Sequence, residues 1–288
     1  MKAIVTGANG FVGAAMVRAA AAARIEVIPV TRATSDYSPR AIAALIRESG
    51  SSAIFHAAGS ASVGASFERP DEDFAGSVGL FERVLEGARL SGVRPLIVYP
   101  STAAVYGNAE HQPISEAAPV DPISPYGTNK AACEALARKY AEESGVPSLV
   151  LRIFSLIGEA QRRLLVWEIF RQYRDAPEVV LAGTGEEERD YLHVDDCAQY
   201  AWRCAARRTA PYEVLNMASG RSVRVRDLAS RIGALLGSKK PVRALGKRLS
   251  GDPRVWRADV SKLHAMAGGA AALDFDARLE QVVAAWAG

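Results

Sequence analysis

Short apolar runs alternate with longer amphipathic ones through the first half of the chain. Lys2–Val5, Glu26–Thr31, Ala53–His56, Leu96–Tyr99 and Val146–Phe154 read as strands, rich in Val, Ile and Leu and bounded by Gly, Pro or Ser. Between them, Ala14–Ala23, Pro39–Ser49, Phe74–Ser91 and a segment from Pro125 to about Ser144 read as helices. In the third of these, Phe74, Val78, Phe81, Leu85 and Ala88 recur at helical spacing. Strand and helix in alternation predict a doubly wound parallel sheet with right-handed crossovers. The pattern loosens near residue 156. A first lobe over 1–155 and a smaller, partly discontinuous α/β lobe over 156–288 are expected. Returns to the first lobe are expected from about 190–217, where His193–Arg203 reads as a helix and Glu213–Met217 as a strand. The final helix, Ala277–Trp286, is expected on the surface of the second lobe.

The link between the first strand and helix is Gly7-Ala-Asn-Gly10-Phe-Val-Gly13. Strand, glycine loop and helix in that order form the context a dinucleotide fingerprint requires, and make the sheet Rossmann-type. Gly7 permits a tight turn, Gly10 lets backbone N–H groups approach a pyrophosphate, and Gly13 permits close helix–strand packing. NAD sites place an acid at the end of the second strand to hold the ribose 2′-hydroxyl. Here that end reads Val30-Thr31-Arg32. A cation suits the 2′-phosphate of NADP, so NADP is the first expectation and NAD the alternative. Asp36 reads as the cap of the helix at Pro39 rather than as a ribose partner.

Pro125-Tyr126-Gly-Thr-Asn-Lys130 places Tyr and Lys four apart at a helix start, on one face. An ammonium beside a phenol favours the phenolate, which equips Tyr126 to move a proton. Ser101-Thr102 closes the apolar run Leu96–Tyr99, at the carboxyl end of a central strand, where open α/β sheets bind ligands. His56 reads as a packed strand-end residue.

Composition narrows the class. The 288 residues are 49% hydrophobic with net charge +3, enough for a large core. Between Arg221 and Arg257 stand 11 Lys/Arg against 2 Asp/Glu, a local balance of +9 suited to an anionic small ligand. No aromatic-interleaved basic motif accompanies it, so nucleic acid is not the expected partner. No apolar run approaches the roughly 20 residues that span a bilayer. A strand beginning near the initiator Met leaves no room for a signal peptide, and a cytoplasmic protein without membrane association is expected. Cys133, Cys197 and Cys204 lack metal spacing; free thiols and no metal are expected.

In combination the motifs are specific. Thr6-Gly7-x-x-Gly10-x-x-Gly13, His56-Ala57-Ala58-Gly59, Ser101-Thr102…Val105-Tyr106-Gly107 and Tyr126-x-x-x-Lys130 occur in this order. Gly183-Thr-Gly185…Arg189-Asp190-Tyr191, Asn216…Gly220 and Gly251-Asp252-Pro253…Trp256 follow. Over nearly the whole chain this resembles the extended short-chain dehydrogenase/reductase family of nucleotide-sugar epimerases, dehydratases and reductases.

The resemblance implies roles. Tyr126 would be the general acid/base, Lys130 would lower its pKa and hold the nicotinamide ribose, and Thr102 would hydrogen-bond the reacting sugar oxygen. Gly7, Asn9, Gly10, Phe11, Val12, Gly13, Arg32, Ala57, Ala58, Gly59, Tyr126, Lys130 and Phe154 would contact the cofactor. Thr102, Ser155, Arg189, Arg248 and Arg254 would contact a nucleotide-diphosphate sugar, with Arg189 on the diphosphate and a salt bridge to Asp190 or Asp195 as its alternative. A homodimer through helices 74–91 and 125–144 is implied as well.

Departures set the subclass. Ala103-Ala104 stand where the family's 4,6-dehydratases carry Asp-Glu, so a dehydratase is not expected. The Glu of the decarboxylases and the Cys of combined epimerase–reductases are missing from this loop. Ser155 replaces a frequent Asn, and Gln161-Arg162-Arg163 follows closely. Reduction of a nucleotide-linked 4-keto(-6-deoxy) sugar is the first expectation, on the strength of Arg32. A UDP-sugar 4-epimerase holding NAD is the second. A dinucleotide-sensing protein without turnover is the third, disfavoured because Tyr126 and Lys130 are both present.

Overall fold

The computed structural model describes residues 2–247, 253–268 and 274–288. Five parallel strands, β1 (Lys2–Thr6), β2 (Glu26–Val30), β3 (Ala53–His56), β4 (Leu96–Thr102) and β5 (Ser148–Ile153), make most of the main sheet. The chain then supplies β6 (Ser155–Ile157), β7 (Val179–Leu181), β8 (Glu188–His193) and β9 (Tyr212–Met217). β9 returns to the main sheet and pairs with β5, giving the order β2-β1-β3-β4-β5-β9, parallel throughout. The order reverses beside β1, the switch point where doubly wound sheets open a crevice at their carboxyl ends.

Helices cover both faces. α1 (Phe11–Ala22) lies on one face, joined later by the return helix α8 (Val194–Arg207). α2 (Pro39–Ser49), α5 (Leu80–Ser91) and α6 (Pro125–Ser144) lie on the other; α3 (Val63–Glu68), α4 (Pro70–Phe74) and α7 (Leu165–Asp175) complete the chain order to that point. Strands buried on both faces, such as β5 with all six residues buried, explain the unbroken apolar runs.

The remaining elements form the second lobe. β10 (Ser222–Arg224) and β6 flank β8 in a three-stranded sheet, and β11 (Val242–Ala244) pairs with β7. α9 (Val225–Leu235) and α11 (Phe275–Ala287) pack with α7 around Phe170, Tyr173, Leu228, Ile232, Val283 and Trp286. α10 (Ser261–Ala267) packs with the α1/α8 face through Leu263 and Ala267.

Two local expectations are corrected. The helix predicted over 74–91 is interrupted by a π-helical turn at Ala75–Gly79, which holds Gly76 and Gly79, residues that stabilise a regular helix poorly. Ser38, not Asp36, caps α2, accepting from the Ala41 N–H at 3.2 Å. Asp36 accepts from the Ser38 N–H two residues on, which holds its carboxyl below the usual range and shapes the approach to the helix.

Candidate active site

The glycine loop is built by close approach. A Cβ on Gly7 would lie 2.7 Å from Ala57 backbone, and one on Gly13 would lie 2.1 Å from the Gly7 carbonyl oxygen. Ala57 and Ala58 therefore run directly against the loop, with Ala57 N–H donating to Thr6 O, while Gly59 lies beside the Gly76 carbonyl. Gly10 differs: it is exposed and caps α1 through its backbone alone, with no acidic residue in the helix's first turn. The first N–H groups of a 12-residue helix are thus left for an anion. These residues fit the pyrophosphate of a dinucleotide. Asn9 is exposed on the loop, Val12 is partly buried, and the Phe11 ring lies under Gly158, where an added Cβ would meet it at 3.1 Å.

The end of β2 holds a residue the sequence reading missed. Tyr37, with φ 57°, is buried; its hydroxyl donates to Val30 O at 3.3 Å, and the Gly7 backbone lies close enough to act on the phenol. It ties the glycine loop to the strand end where an acid was sought. Arg32 stands exposed beside it.

β4 and α6 bring the candidate catalytic groups together. Ser124 caps α6 through Gly127 N–H at 3.1 Å, and Pro125 occupies the first turn, where its missing donor costs nothing. Tyr126 N–H is taken by Ser66 Oγ of α3, 3.1 Å away. The Tyr126 phenol meets the Thr102 side chain. Thr102 Oγ1 also accepts from Ala104 N–H at 3.2 Å, so its orientation is fixed. Lys130 is buried, with Nζ donating to Pro100 O at 3.0 Å and lying 4.8 Å from the Tyr99 ring centroid.

The electrostatics differ from the sequence expectation. Burial pushes the Tyr126 phenol up to about 12, against the pull of its Thr102 hydrogen bond. Burial also lowers Lys130. The ammonium lies 5.8 Å from the Tyr126 ring centroid and spends its hydrogen bond on Pro100. In this arrangement desolvation outweighs the cation beside the phenol. His56 is the packed strand-end residue expected: Nδ1 meets Thr6 Oγ1 at 2.8 Å, the ring stacks on Phe81, and burial drives its pKa down to about 3.

Behind these groups lies a polar frame invisible to the motifs. Arg152 engages both Glu134 oxygens, Ser101 Oγ donates to Glu134, and the Arg152 guanidinium lies over the Tyr106 ring at 4.7 Å. Tyr106 donates to Asn216 Oδ1 at 2.7 Å, and Asn216 donates to Ile114 O and Asp259 O.

Candidate substrate residues lie in the second lobe. Arg189 on β8 is 7% exposed, with its guanidinium 5.2 Å from the Trp256 ring centroid. Asp190 receives Ser219 N–H, Gly220 N–H and Ala258 N–H, which cradle its buried carboxylate. Asp195 pairs with Arg18. Ser155 is half-buried on β6, in register with Tyr191. Phe154 packs against Tyr106 and edge-on to Trp256. Arg254 is exposed and lines a surface cavity of about 350 Å³ with Asn108, Glu110 and Gln112. Arg248, Gly251 and Asp252 lie outside the described residues.

The glycine loop at a sheet switch point, with Thr102, Tyr126 and Lys130 at its carboxyl edge, defines a dinucleotide-dependent enzyme of the short-chain dehydrogenase class. The profile of the NAD dependent epimerase/dehydratase family matches residues 3–218, and the chain belongs to that family. Its cofactor class is a nicotinamide dinucleotide. The UDP-glucose 4-epimerase of Streptomyces lividans is 30% identical over 220 residues, covering 70% of this chain and 65% of that protein. The chain thus spans about two thirds of that curated relative. The structure of MoeE5 in complex with UDP-glucuronic acid and NAD is 26% identical, with TM-score 0.91, covering 100% of this chain and 99% of that one. The UDP-glucose 4-epimerase of Thermotoga maritima, solved with UDP-glucose, is 25% identical with TM-score 0.90 and the same coverage.

Proposed function

We propose that the chain is an NAD-retaining 4-epimerase of a UDP-linked sugar. The observation that carries this reading is the strand end itself. Thr102 and Tyr126 meet there, and the next two positions are the buried Ala103 and Ala104. Such a site handles one proton at one carbon. Elimination across two carbons needs a second acid–base pair, which two alanines cannot supply. The epimerase relatives and the NAD held by MoeE5 support the choice over the reductase and NADP that Arg32 suggested.

Bound NAD would supply the hydride acceptor and donor. Tyr126 takes the proton of the sugar C4 hydroxyl as that carbon is oxidised, and returns it to the same oxygen when the ketone is reduced from its opposite face. Thr102 Oγ1 orients the same oxygen. Lys130 stabilises the developing phenolate and holds the ribose. The glycine loop and the α1 N-terminus take the pyrophosphate, with Asn9, Phe11 and Val12 around it. Arg189, its guanidinium 5.2 Å from the Trp256 ring centroid, is the phosphate contact on the substrate side. Homodimerisation through α5 and α6 is part of this reading; their groove exposes Glu82, Glu86, Arg89, Lys139 and Glu143.

The test is to unfold the purified protein and identify what it releases, then to supply UDP-glucose and follow UDP-galactose and the corresponding uronic acid pair. Stoichiometric NAD with interconversion is expected. No retained nucleotide, with NADPH consumed against a 4-keto sugar, would establish the reductase instead.

A further inference from the structure

Asp73 belongs to none of the motifs, yet it is 4% exposed and lies beside the catalytic helix. Its Oδ2 accepts from Asn129 Nδ2 at 2.7 Å, and its Oδ1 is buried with no hydrogen-bond partner. Asn129 immediately precedes Lys130 on α6 and is itself 8% exposed. One helical turn beyond Asp73, in the π-helical segment, Ser77 Oγ is likewise buried and unpartnered. A carboxylate is costly to bury, and retention of one here calls for a charge to balance.

That charge is Lys130. Its ammonium is 7% exposed and bonded to a neutral carbonyl, so it too lacks a direct ionic partner among the described residues. Its titratable neighbours are few. His56 on β3 is held neutral by burial. Tyr99 on β4, and Tyr126 and Cys133 on α6, are all pushed upward by burial and are neutral near pH 7. Glu134 on α6 is committed to Arg152 of β5 and to Ser101. Asp73 is the remaining anion that acts on Lys130, and it also acts on Tyr126.

We propose that Asp73 is a positioning residue for the Tyr126–Lys130 pair: its buried carboxylate holds Asn129 against α4 and supplies the counter-charge to the buried Lys130 ammonium. Asp73 acts through Lys130 and Asn129 and touches neither substrate nor cofactor. The assignment rests on the Tyr126–Lys130 site proposed above, but its test needs no substrate.

The experiment is a pH titration of [ε-13C]lysine-labelled protein by NMR, with the Lys130 signal assigned by its loss in Lys130→Met. Removing a nearby negative charge lowers the pKa of an ammonium. The Lys130 midpoint is therefore expected to fall by about one pH unit in Asp73→Asn. An unchanged midpoint would overturn the proposal. Asn129→Ala removes the tether and keeps the charge, so its midpoint is expected within a few tenths of wild type. A fall as large as that of Asp73→Asn would assign the effect to the tether and overturn the counter-charge. Should Asp73→Asn fail to fold, Asp73→Glu carries the test. It keeps a carboxylate, and a midpoint a full unit below wild type would likewise refute the role. Loss of epimerase activity in every preparation, with the Lys130 shift intact, would sink the substrate assignment and leave this one standing.

Discussion

Arg152 on β5 and Glu134 on α6 form a buried ion pair, each side chain 6% exposed, with Nη2 2.7 Å from Oε2 and Nε 3.1 Å from both carboxylate oxygens. The pair also binds Ser101 of β4 and the Glu116 carbonyl. It fixes α6 against the strand that carries Thr102, so it sets the distance between the two halves of the site. Glu134→Ala leaves an uncompensated buried guanidinium. A loss of about 3–5 kcal/mol in urea unfolding is expected. The double variant Glu134→Leu, Arg152→Met should recover much of that loss, because no buried charge remains. A double variant as unstable as the single one would refute this account.

His56 gives a pH signature. Its folded pKa of about 3 lies below the ordinary 6.5 because burial disfavours the cation. The unfolded chain therefore binds a proton that the folded one does not. The stability His56 contributes is present above pH 6.5 and is lost as pH falls toward 3. Between those limits the wild type should lose about 1.4 kcal/mol per pH unit more than His56→Gln. Parallel stability curves would show that His56 is protonated in the fold.

Much of this was legible in the residues because it is carried by local periodicity and short motifs. The glycine loop, the strand ends and the Tyr126 helix each occupy a contiguous stretch whose steric demands are visible in one dimension. Gly13 is needed because the Gly7 carbonyl sits where its Cβ would be. The polar frame was not legible. Glu134 and Arg152 are 18 positions apart, Tyr106 and Asn216 are 110 apart, and each looks like an ordinary helix or strand residue. Tyr37 was missed for a related reason: its approach to Gly7 depends on a left-handed backbone that no turn signature announced. The direction of the Tyr126 shift also escaped, since i, i+4 spacing shows proximity but not how much water the fold removes.

Gly13→Ala tests the loop. An added Cβ 2.1 Å from the Gly7 carbonyl and 3.0 Å from Ala8 Cα meets backbone, which cannot swing aside as a side chain would. The loop must open, so retained nucleotide should fall below one tenth of the wild-type stoichiometry, a loss of about 1.4 kcal/mol or more. Full retention would show that the helix start tolerates displacement.

Arg189 tests the substrate side. Its guanidinium lies over Trp256, 5.2 Å from the ring centroid, and the fork of an Arg matches phosphate oxygens. Arg189→Lys keeps the charge and discards the fork. Binding of UDP by calorimetry should weaken by about tenfold in Arg189→Lys and by about a hundredfold in Arg189→Met, while NAD content stays unchanged. Equal affinity in all three proteins would remove Arg189 from the diphosphate site.

Tyr126 carries the chemical step, and its environment fixes the pH dependence. A phenol pushed up to about 12 is almost wholly protonated near neutrality. Oxidation of the sugar hydroxyl requires the phenolate, whose fraction, at any pH well below the pKa, grows tenfold for each unit by which pH rises. kcat/KM for epimerisation should therefore rise with pH through the neutral range, with a slope approaching one log unit per pH unit. Tyr126→Phe should lose about 10²- to 10⁴-fold in kcat and lose the slope as well, while retaining NAD. Thr102→Val should lower the rate and keep the slope, because the proton donor and acceptor remains. Loss of the hydroxyl that pulls the phenol downward should move the rise to higher pH. A Tyr126→Phe enzyme that keeps both rate and slope would place the acid–base group elsewhere.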